Sequence, residues 1–410
     1  MSQTSQPGST AFAVLGAGNG GVAMAGHLAI KGFPVALWNR SPERLAPLRR
    51  NRLIRLVTDH DGLPEGKGHL AVVSPDMGEC LAGAKIVMVV VPATAHSEVA
   101  ALAAPHLRAG QIVVLHPGRT GGALEFLATM RREGCTADIT VAEAQTLLYA
   151  CRAENPGQVR IFGFKNSVPV AAIPAHRTPD VVRALSEAYD EFTPGDNVMK
   201  TSLDNIGAIF HPAVTVLNTA RIETTRGDFE YYIEGISRSV SRVLERMDAE
   251  RVRVGAALGF HCMTAREWLY VAYGAAGKSL FDAIRANEGY YGIKAPHGVE
   301  HRYISEDVPT SLVPIASLGE QLDVPCPTIQ SIIQLANLIH ECDYWQTGRT
   351  AEKMGLKGRN IEQIRRLVLE GKMTSSRSKA SSASAVKASP NGGSPKPREK
   401  KSAKGVSSRR

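Results

Sequence analysis

Six residues near the start of the chain constrain its fold more than any others. Gly16-Ala17-Gly18-Asn19-Gly20-Gly21 follow a short apolar run, AFAVL at 11–15, and precede a stretch, Val22 to Ile30, that reads as a helix. Strand, glycine-rich turn and helix in that order open a βαβ unit. In this setting each glycine of G-x-G-x-x-G has its own role. Gly16 permits the tight turn, Gly18 lets the backbone approach a pyrophosphate, and Gly21 lets helix and strand pack closely. The helix N-terminus then faces the phosphates with free N–H groups. Gly16, Gly18, Asn19, Gly20 and Gly21 are thus the expected dinucleotide cradle.

A second strand, Pro34 to Trp38, ends in Asn39-Arg40-Ser41, where an acidic residue would hold the ribose of NAD. No acid stands there. Asn39 and Ser41 suit a neutral or phosphorylated ribose, and Arg40 supplies the fixed charge that suits a 2′-phosphate, so NADP is favoured over NAD. The bland alternative for Arg40 is a solvated surface charge.

Further strand-sized apolar runs lie at 84–91, 111–115 and 139–142, which is the pattern of a parallel sheet covered on both faces. The fold class is α/β: an N-terminal Rossmann-type doubly wound sheet over 11–200, after a flexible segment at 1–10. The loop His116-Pro117-Gly118-Arg119-Thr120-Gly121-Gly122 stands at the carboxyl edge of the sheet, where open α/β sheets bind ligands. Thr120 and Arg119 read there as contacts for a nicotinamide or an anionic substrate, or else as parts of a plain tight turn. The polar run Glu143 to Arg152 similarly reads as lining for the cleft.

From about Thr201 the apolar period changes from 2 to 3.6, so an all-α domain is expected over 201–371. Its clearest stripe, Phe229, Tyr232, Ile233, Ile236, Val240, Val243, Leu244 and Met247, predicts one long helix. Others are expected at 263–273, 311–322, 327–341 and 360–369. The first helix of this half, with Thr201 or Ser202 as N-cap, carries His211 directly before Pro212. Proline removes the amide that would bond the carbonyl of Ala208, so a kink is expected there, with His211 singled out beside it. Asp204 and Asn218, seven residues to either side, are about 10 Å away along a helix axis and cannot reach the imidazole.

The net charge of +9 points at first to nucleic acid, but it is concentrated in one place. From Lys372 onward there are eleven basic residues and one acidic residue, which leaves positions 1–371 at −1. This Ser/Ala/Lys/Pro-rich tail, 372–410, cannot bury enough surface to order itself and is expected to be disordered and dispensable, or a site of nucleic-acid contact. The six cysteines show no metal or redox spacing, the first ten residues lack the features of a signal peptide, and no apolar run approaches a membrane span. A cytoplasmic protein with reduced thiols, no metal and no membrane partner is expected.

Five ordered motifs, GAGNGG at 16–21, PGRTGGALEF at 117–126, EAQTLLYACR at 143–152, MKTSLDNIGAIFHPAVTVLN at 199–218 and RYISEDVPTSLVPIASLG at 302–319, together resemble the opine dehydrogenase family, the octopine/nopaline dehydrogenases. The long basic tail carries no family motif. The resemblance implies NAD(P)H-dependent reductive condensation of an α-keto acid with the amino group of an amino acid, giving an N-(1-carboxyalkyl) amino acid. It also implies a histidine and aspartate pair for proton transfer, at positions His211 and Asp307. A carboxylate beside imidazole fixes its tautomer and stabilises imidazolium, which suits this chemistry. Arg302 is the expected clamp for a substrate carboxylate, with Thr120 and Asn218 as further substrate contacts, and a homodimer through the helical half is expected. Two readings compete: a keto-acid, hydroxy-acid or sugar-phosphate reductase using Lys200 or Lys278 as its acid, and a non-catalytic dinucleotide sensor whose basic tail touches nucleic acid.

Overall fold

The computed structural model describes residues 11–372 apart from 61 and 156. The flexible segment expected at 1–10 and the tail from 373 lie outside the described residues. Phe12–Leu15 is wholly buried and becomes the central strand, paired in parallel with Val35–Trp38 on one side and Ile86–Val89 on the other. The complete sheet runs Val72–Ser74, Val35–Trp38, Phe12–Leu15, Ile86–Val89, Ile112–Leu115, Thr140–Ala144, Val168–Ile173, Phe192–Pro194. Its first six strands follow the order of a doubly wound dinucleotide-binding sheet, with the crevice at the carboxyl ends of Phe12–Leu15 and Ile86–Val89, where the winding reverses.

Two features depart from the expected parallel sheet. Val168–Ile173 runs antiparallel to Thr140–Ala144, because no crossover helix joins them. The chain instead passes through the hairpin Tyr149–Asn155 and Gln158–Phe164, which joins Leu53–Thr58 and Gly66–His69 in a second, four-stranded sheet. That sheet covers the outer face of the first helix, Asn19–Ile30, and every residue from Gly21 to Leu28 is buried as a result. Glu143, expected in the cleft, is buried too: it accepts hydrogen bonds from the Ala123 N–H (2.9 Å) and the hydroxyls of Thr201 (2.8 Å) and Ser202 (2.7 Å).

Past Pro194 the chain is helical. The cap expected at Thr201 or Ser202 is Asn197, whose side chain accepts from the N–H groups of Met199 and Lys200. This first helix, Val198–Leu203, ends before Asp204-Asn205-Ile206, and a second begins at Gly207 and runs through Pro212 to Leu217. The long apolar stripe also divides. Residues 229–236 form turns bridged to Lys294 through Glu230, and the helix proper, Arg238–Ala257, starts at its Ser237 cap. The stripe records burial, not continuity: Phe229, Tyr232, Ile233 and Ile236 are buried, as are Leu244 and Met247 within the helix. The remaining expected helices are present at Ala265–Tyr273, Val313–Gln321, Pro327–Ile339 and Ile361–Glu370. Among the described residues no helix is long and apolar enough to cross a membrane, and no group of acidic, His or Cys side chains is placed to hold a metal.

Candidate active site

At the crevice the glycines behave as their spacing predicts. Gly16 has φ +118°, and a Cβ there would stand 2.3 Å from the Val90 carbonyl oxygen. A Cβ on Gly21 would stand 1.8 Å from the carbonyl oxygen of Gly16, so turn and helix touch through backbone. At Gly18, the helix N-cap, no atom of the described residues other than its chain neighbours lies within 4 Å of the Cβ position, which leaves an open cradle over the first-turn N–H groups. A valine at Gly18 therefore fits the protein but projects into the space a pyrophosphate needs. Gly18→Val is expected to fold normally and lose about tenfold or more in cofactor affinity, read by fluorescence titration; unchanged affinity would remove the cradle from the site.

The other cofactor candidates are tied into this turn. Asn39 Oδ1 accepts from the Ala17 N–H at 3.0 Å, and its amide donates to the Ser41 carbonyl at 3.3 Å. Asn19 Oδ1 accepts from the Ala153 N–H at 3.0 Å, which joins the turn to the second sheet. Gly20 lies against Leu147 and Val90. Arg40 is an exposed cation at the end of its strand, paired with Glu98 at 2.5 Å.

In the helical half, His211 Nδ1 lies 2.9 Å from Asp307 Oδ2, although 96 residues separate them. Asp307 is fully buried, at the start of a π-helical turn, Val308–Leu312. Such turns displace side chains from regular helix register and recur at functional sites. The other carboxylate oxygen, Oδ1, is 2.8 Å from Nη1 of Arg119. Burial pushes the Asp307 carboxyl up, but Arg119, the bond to His211 and the more distant Arg302 outweigh it and hold the group below the ordinary carboxylate range. An ionised Asp307 obliges Nδ1 to donate, which leaves Nε2 as the position that gains and gives a proton. The imidazole is about one-fifth exposed and stacks on the Tyr303 ring at 4.1 Å.

This geometry meets two family descriptions. Residues 11–128 match the NAD-dependent glycerol-3-phosphate dehydrogenase N-terminus, and residues 194–340 match the NAD/NADP octopine/nopaline dehydrogenase alpha-helical domain. An opine dehydrogenase of Arthrobacter sp. (strain 1C) is 36% identical over 360 residues, covering 88% of this chain and 99% of that protein. The chain belongs to the opine dehydrogenase family. It is an NAD(P)-dependent oxidoreductase. Protein ocs of Agrobacterium tumefaciens (strain Ach5), at 26% identity over 86% of this chain and 97% of its own length, is a more distant relative. Among solved structures, octopine dehydrogenase with NADH and L-arginine shares the fold at TM-score 0.75 and 19% identity, over 90% of this chain and 99% of the other. Yersinopine dehydrogenase with NADP+ shares it at 0.69 and 16%, over 87% and 99%.

Within this opine dehydrogenase-type chain, the remaining expected contacts fall differently. Thr120 is fully buried; its hydroxyl donates to the Ser202 carbonyl at 3.3 Å and its N–H to the Thr310 carbonyl at 3.2 Å, so it fastens the loop to the helical half and does not face a substrate. Asn218 donates to the carbonyls of Val214 (2.8 Å) and Gly235 (2.9 Å), which makes it a bracket at the helix end. Arg302 remains accessible, its side chain 57% exposed and paired with Glu306 at 2.9 Å. Sequence reasoning did not place Glu306, Tyr303, Arg349 or Asn205 here. Asn205, in the break between the two helices, has a buried amide nitrogen without a partner among the described residues. A Cβ on Gly207 would stand 3.4 Å from Asn205 Oδ1, 3.2 Å from His211 Cε1 and 3.4 Å from Arg119 Nη1, so the three meet around one point.

Proposed function

We propose that the protein condenses an α-keto acid with the amino group of an amino acid and reduces the resulting imine to an N-(1-carboxyalkyl) amino acid, with His211 passing the proton and Asp307 orienting it. The observation that carries this reading is the 2.9 Å contact between His211 and Asp307, in a family member whose glycine cradle is open. The bound nicotinamide would supply the hydride. His211, donating from Nδ1 to Asp307, presents Nε2 as the acid in reduction and the base in the reverse direction. Arg302 offers a guanidinium fork to a substrate carboxylate in competition with Glu306, and the unpartnered amide of Asn205, which meets His211 and Arg119 around Gly207, is a second donor. Residues 11–200 act as the cofactor-binding domain, and 201–371 as the domain that completes the site.

The test is a matrix of amino acids against pyruvate, glyoxylate, oxaloacetate and 2-oxoglutarate, followed by NADPH and NADH absorbance. Oxidation that needs both partners together supports the reading; oxidation with a keto acid alone moves the protein to the simple keto-acid reductases. Against that second outcome, Lys200 is bound to Asp204 at 2.9 Å and to the His261 carbonyl at 2.7 Å.

NADPH is the preferred donor in this reading because Arg40 is a largely exposed cation beyond the second strand. Arg40→Asp is expected to shift the ratio of the two kcat/KM values toward NADH by about tenfold, since an attraction for the 2′-phosphate becomes a repulsion. An unaltered ratio would take Arg40 out of the site. The protein is further read as a cytoplasmic homodimer. All six cysteines are free thiols, and Tyr270, Val271 and Tyr273 expose apolar surface on one helix of the helical half, which light scattering tests as a dimer face.

A further inference from the structure

The loop that follows Ile112–Leu115 holds Arg119 in an unusual state. Its φ is +58°, in the left-handed region that side chains other than glycine, Asn and Asp avoid, and its side chain is only 9% exposed. The backbone on both sides is fixed to the helical half. Arg349 donates to the carbonyls of Gly118 (3.2 Å) and Thr120 (2.9 Å), Thr120 N–H donates to Thr310, and Gly121 N–H donates to the Ser202 hydroxyl at 2.9 Å. All this scaffolding delivers one group to one place: the guanidinium, 2.8 Å from Asp307 Oδ1 and 3.8 Å from Glu306 Oε1.

We propose that Arg119 is a positioning residue of the His211–Asp307 pair: its ion pair with Oδ1 of Asp307 leaves Oδ2 to meet Nδ1, and its fixed charge limits how strongly that carboxylate stabilises imidazolium. The effect on rate rests on the reading of His211 as proton donor; the effect on the imidazole itself does not. With Arg119 in place, Asp307 has a permanent counter-charge and stays ionised whether His211 is neutral or protonated. Without it, imidazolium becomes the only close counter-charge of a buried carboxylate, and the proton affinity of the pair rises.

Other groups facing the imidazole are few. From its own segment Asp307 is joined by His301, Arg302, Tyr303 and Glu306, and Tyr231 bonds the His211 carbonyl. The Arg238–Ala257 helix, also packed on the His211 helix, engages its Asp248 and Arg251 with each other and its Glu250 with the N–H groups of Thr328 and Ile329. Arg221, on the following helix, pairs with Glu234. The Pro327–Ile339 helix and the π-helical turn bring no titratable side chain. Among the described residues, Arg119 is therefore the fixed cation in contact with the pair.

The test is a histidine NMR titration of the full chain, with the His211 signal, one of twelve histidines, identified as the resonance missing from His211→Ala. Arg119→Gln, which removes the charge at similar length, is expected to raise the His211 midpoint by about one pH unit. The limb of the kcat pH profile that reports it should move with it. Arg119→Lys keeps the charge and should stay near the wild-type midpoint at reduced kcat. A folded Gln variant with an unmoved midpoint overturns the proposal, as does a shift in Lys as large as that in Gln. Should Gln not fold, the Lys variant decides alone: a midpoint displaced upward by a full unit despite the retained charge overturns it, and one near wild type upholds it. Full turnover in His211→Ala, by contrast, sinks the catalytic reading of His211 and leaves the titration result standing.

Discussion

His211→Ala is expected to lower turnover by about 10²- to 10⁴-fold, the usual worth of a positioned acid or base, while cofactor affinity barely changes. The residue belongs to the helix Gly207–Leu217 and its Nδ1 is engaged by Asp307, while the turn at Gly16 to Gly21 is held by its own backbone against Val90, so truncation should remove proton transfer and leave the turn intact. Asp307→Asn should be nearly as damaging, for a reason particular to this site. A carboxamide between Arg119 and His211 must turn its oxygen to the guanidinium, because two donors cannot face each other, and its NH2 then points at Nδ1. That selects the opposite tautomer, with the proton on Nε2 and no acceptor there for the reverse reaction. The double variant should be little worse than His211→Ala alone, because donor and orienting group act as one unit. Steady-state kinetics with saturating substrates and a separate cofactor titration check this. Near-wild-type turnover in His211→Ala, or independent multiplicative losses, would make the pair structural and send the search for the acid elsewhere.

How much of this was legible follows from the range over which each signal acts. The cradle is local: three glycines at fixed spacing between a strand and a helix carry their own explanation, and Val90 supplies the wall that Gly16 must approach. The second sheet is not local. Its strand Gly66–His69 reads GKGH, without alternation or β-branched residues, and Leu53–Thr58 pairs with Gln158–Phe164 about a hundred residues away. Helix ends were misread where burial outran the helix, as at Phe229 to Ile236, and where the cap was sought at Thr201 or Ser202 although Asn197 holds the helix N-terminus. His211 and Asp307 were joined only through family resemblance, since nothing in the spacing brings them together. Thr120 and Asn218 were polar and nearby, yet their hydrogen bonds go to backbone, which a sequence does not record. Arg119 was visible as a charge in a glycine-rich loop. What it touches depends on a left-handed backbone that only the fold imposes.

That imposition depends on Arg349, so Arg349→Ala is expected to destabilise the protein by about 3–5 kcal/mol, the usual result of breaking one side of a buried ion pair. Arg349 is 1% exposed and comes from the far end of the helical half. Its Nε bonds Glu125 at 2.7 Å, and its two terminal nitrogens bond the carbonyls of Gly118, Thr120 and Ala93 and the ring of His96. Truncation leaves the Glu125 carboxylate without its counter-charge and those acceptors without their donor, and a lysine could serve only some of them. The loss should appear as a lower urea midpoint with little change in slope. Removing both charges is expected to hurt less: Arg349→Met with Glu125→Gln leaves no uncompensated ion, so the double variant should be more stable than Arg349→Ala. Any folded fraction should still show reduced kcat, because the loop that carries Arg119 has lost its anchor. Wild-type stability in Arg349→Ala, or a double variant less stable than the single one, would mean that the loop is held chiefly by its bonds to Ser202 and Thr310 and that the buried guanidinium is incidental to the site.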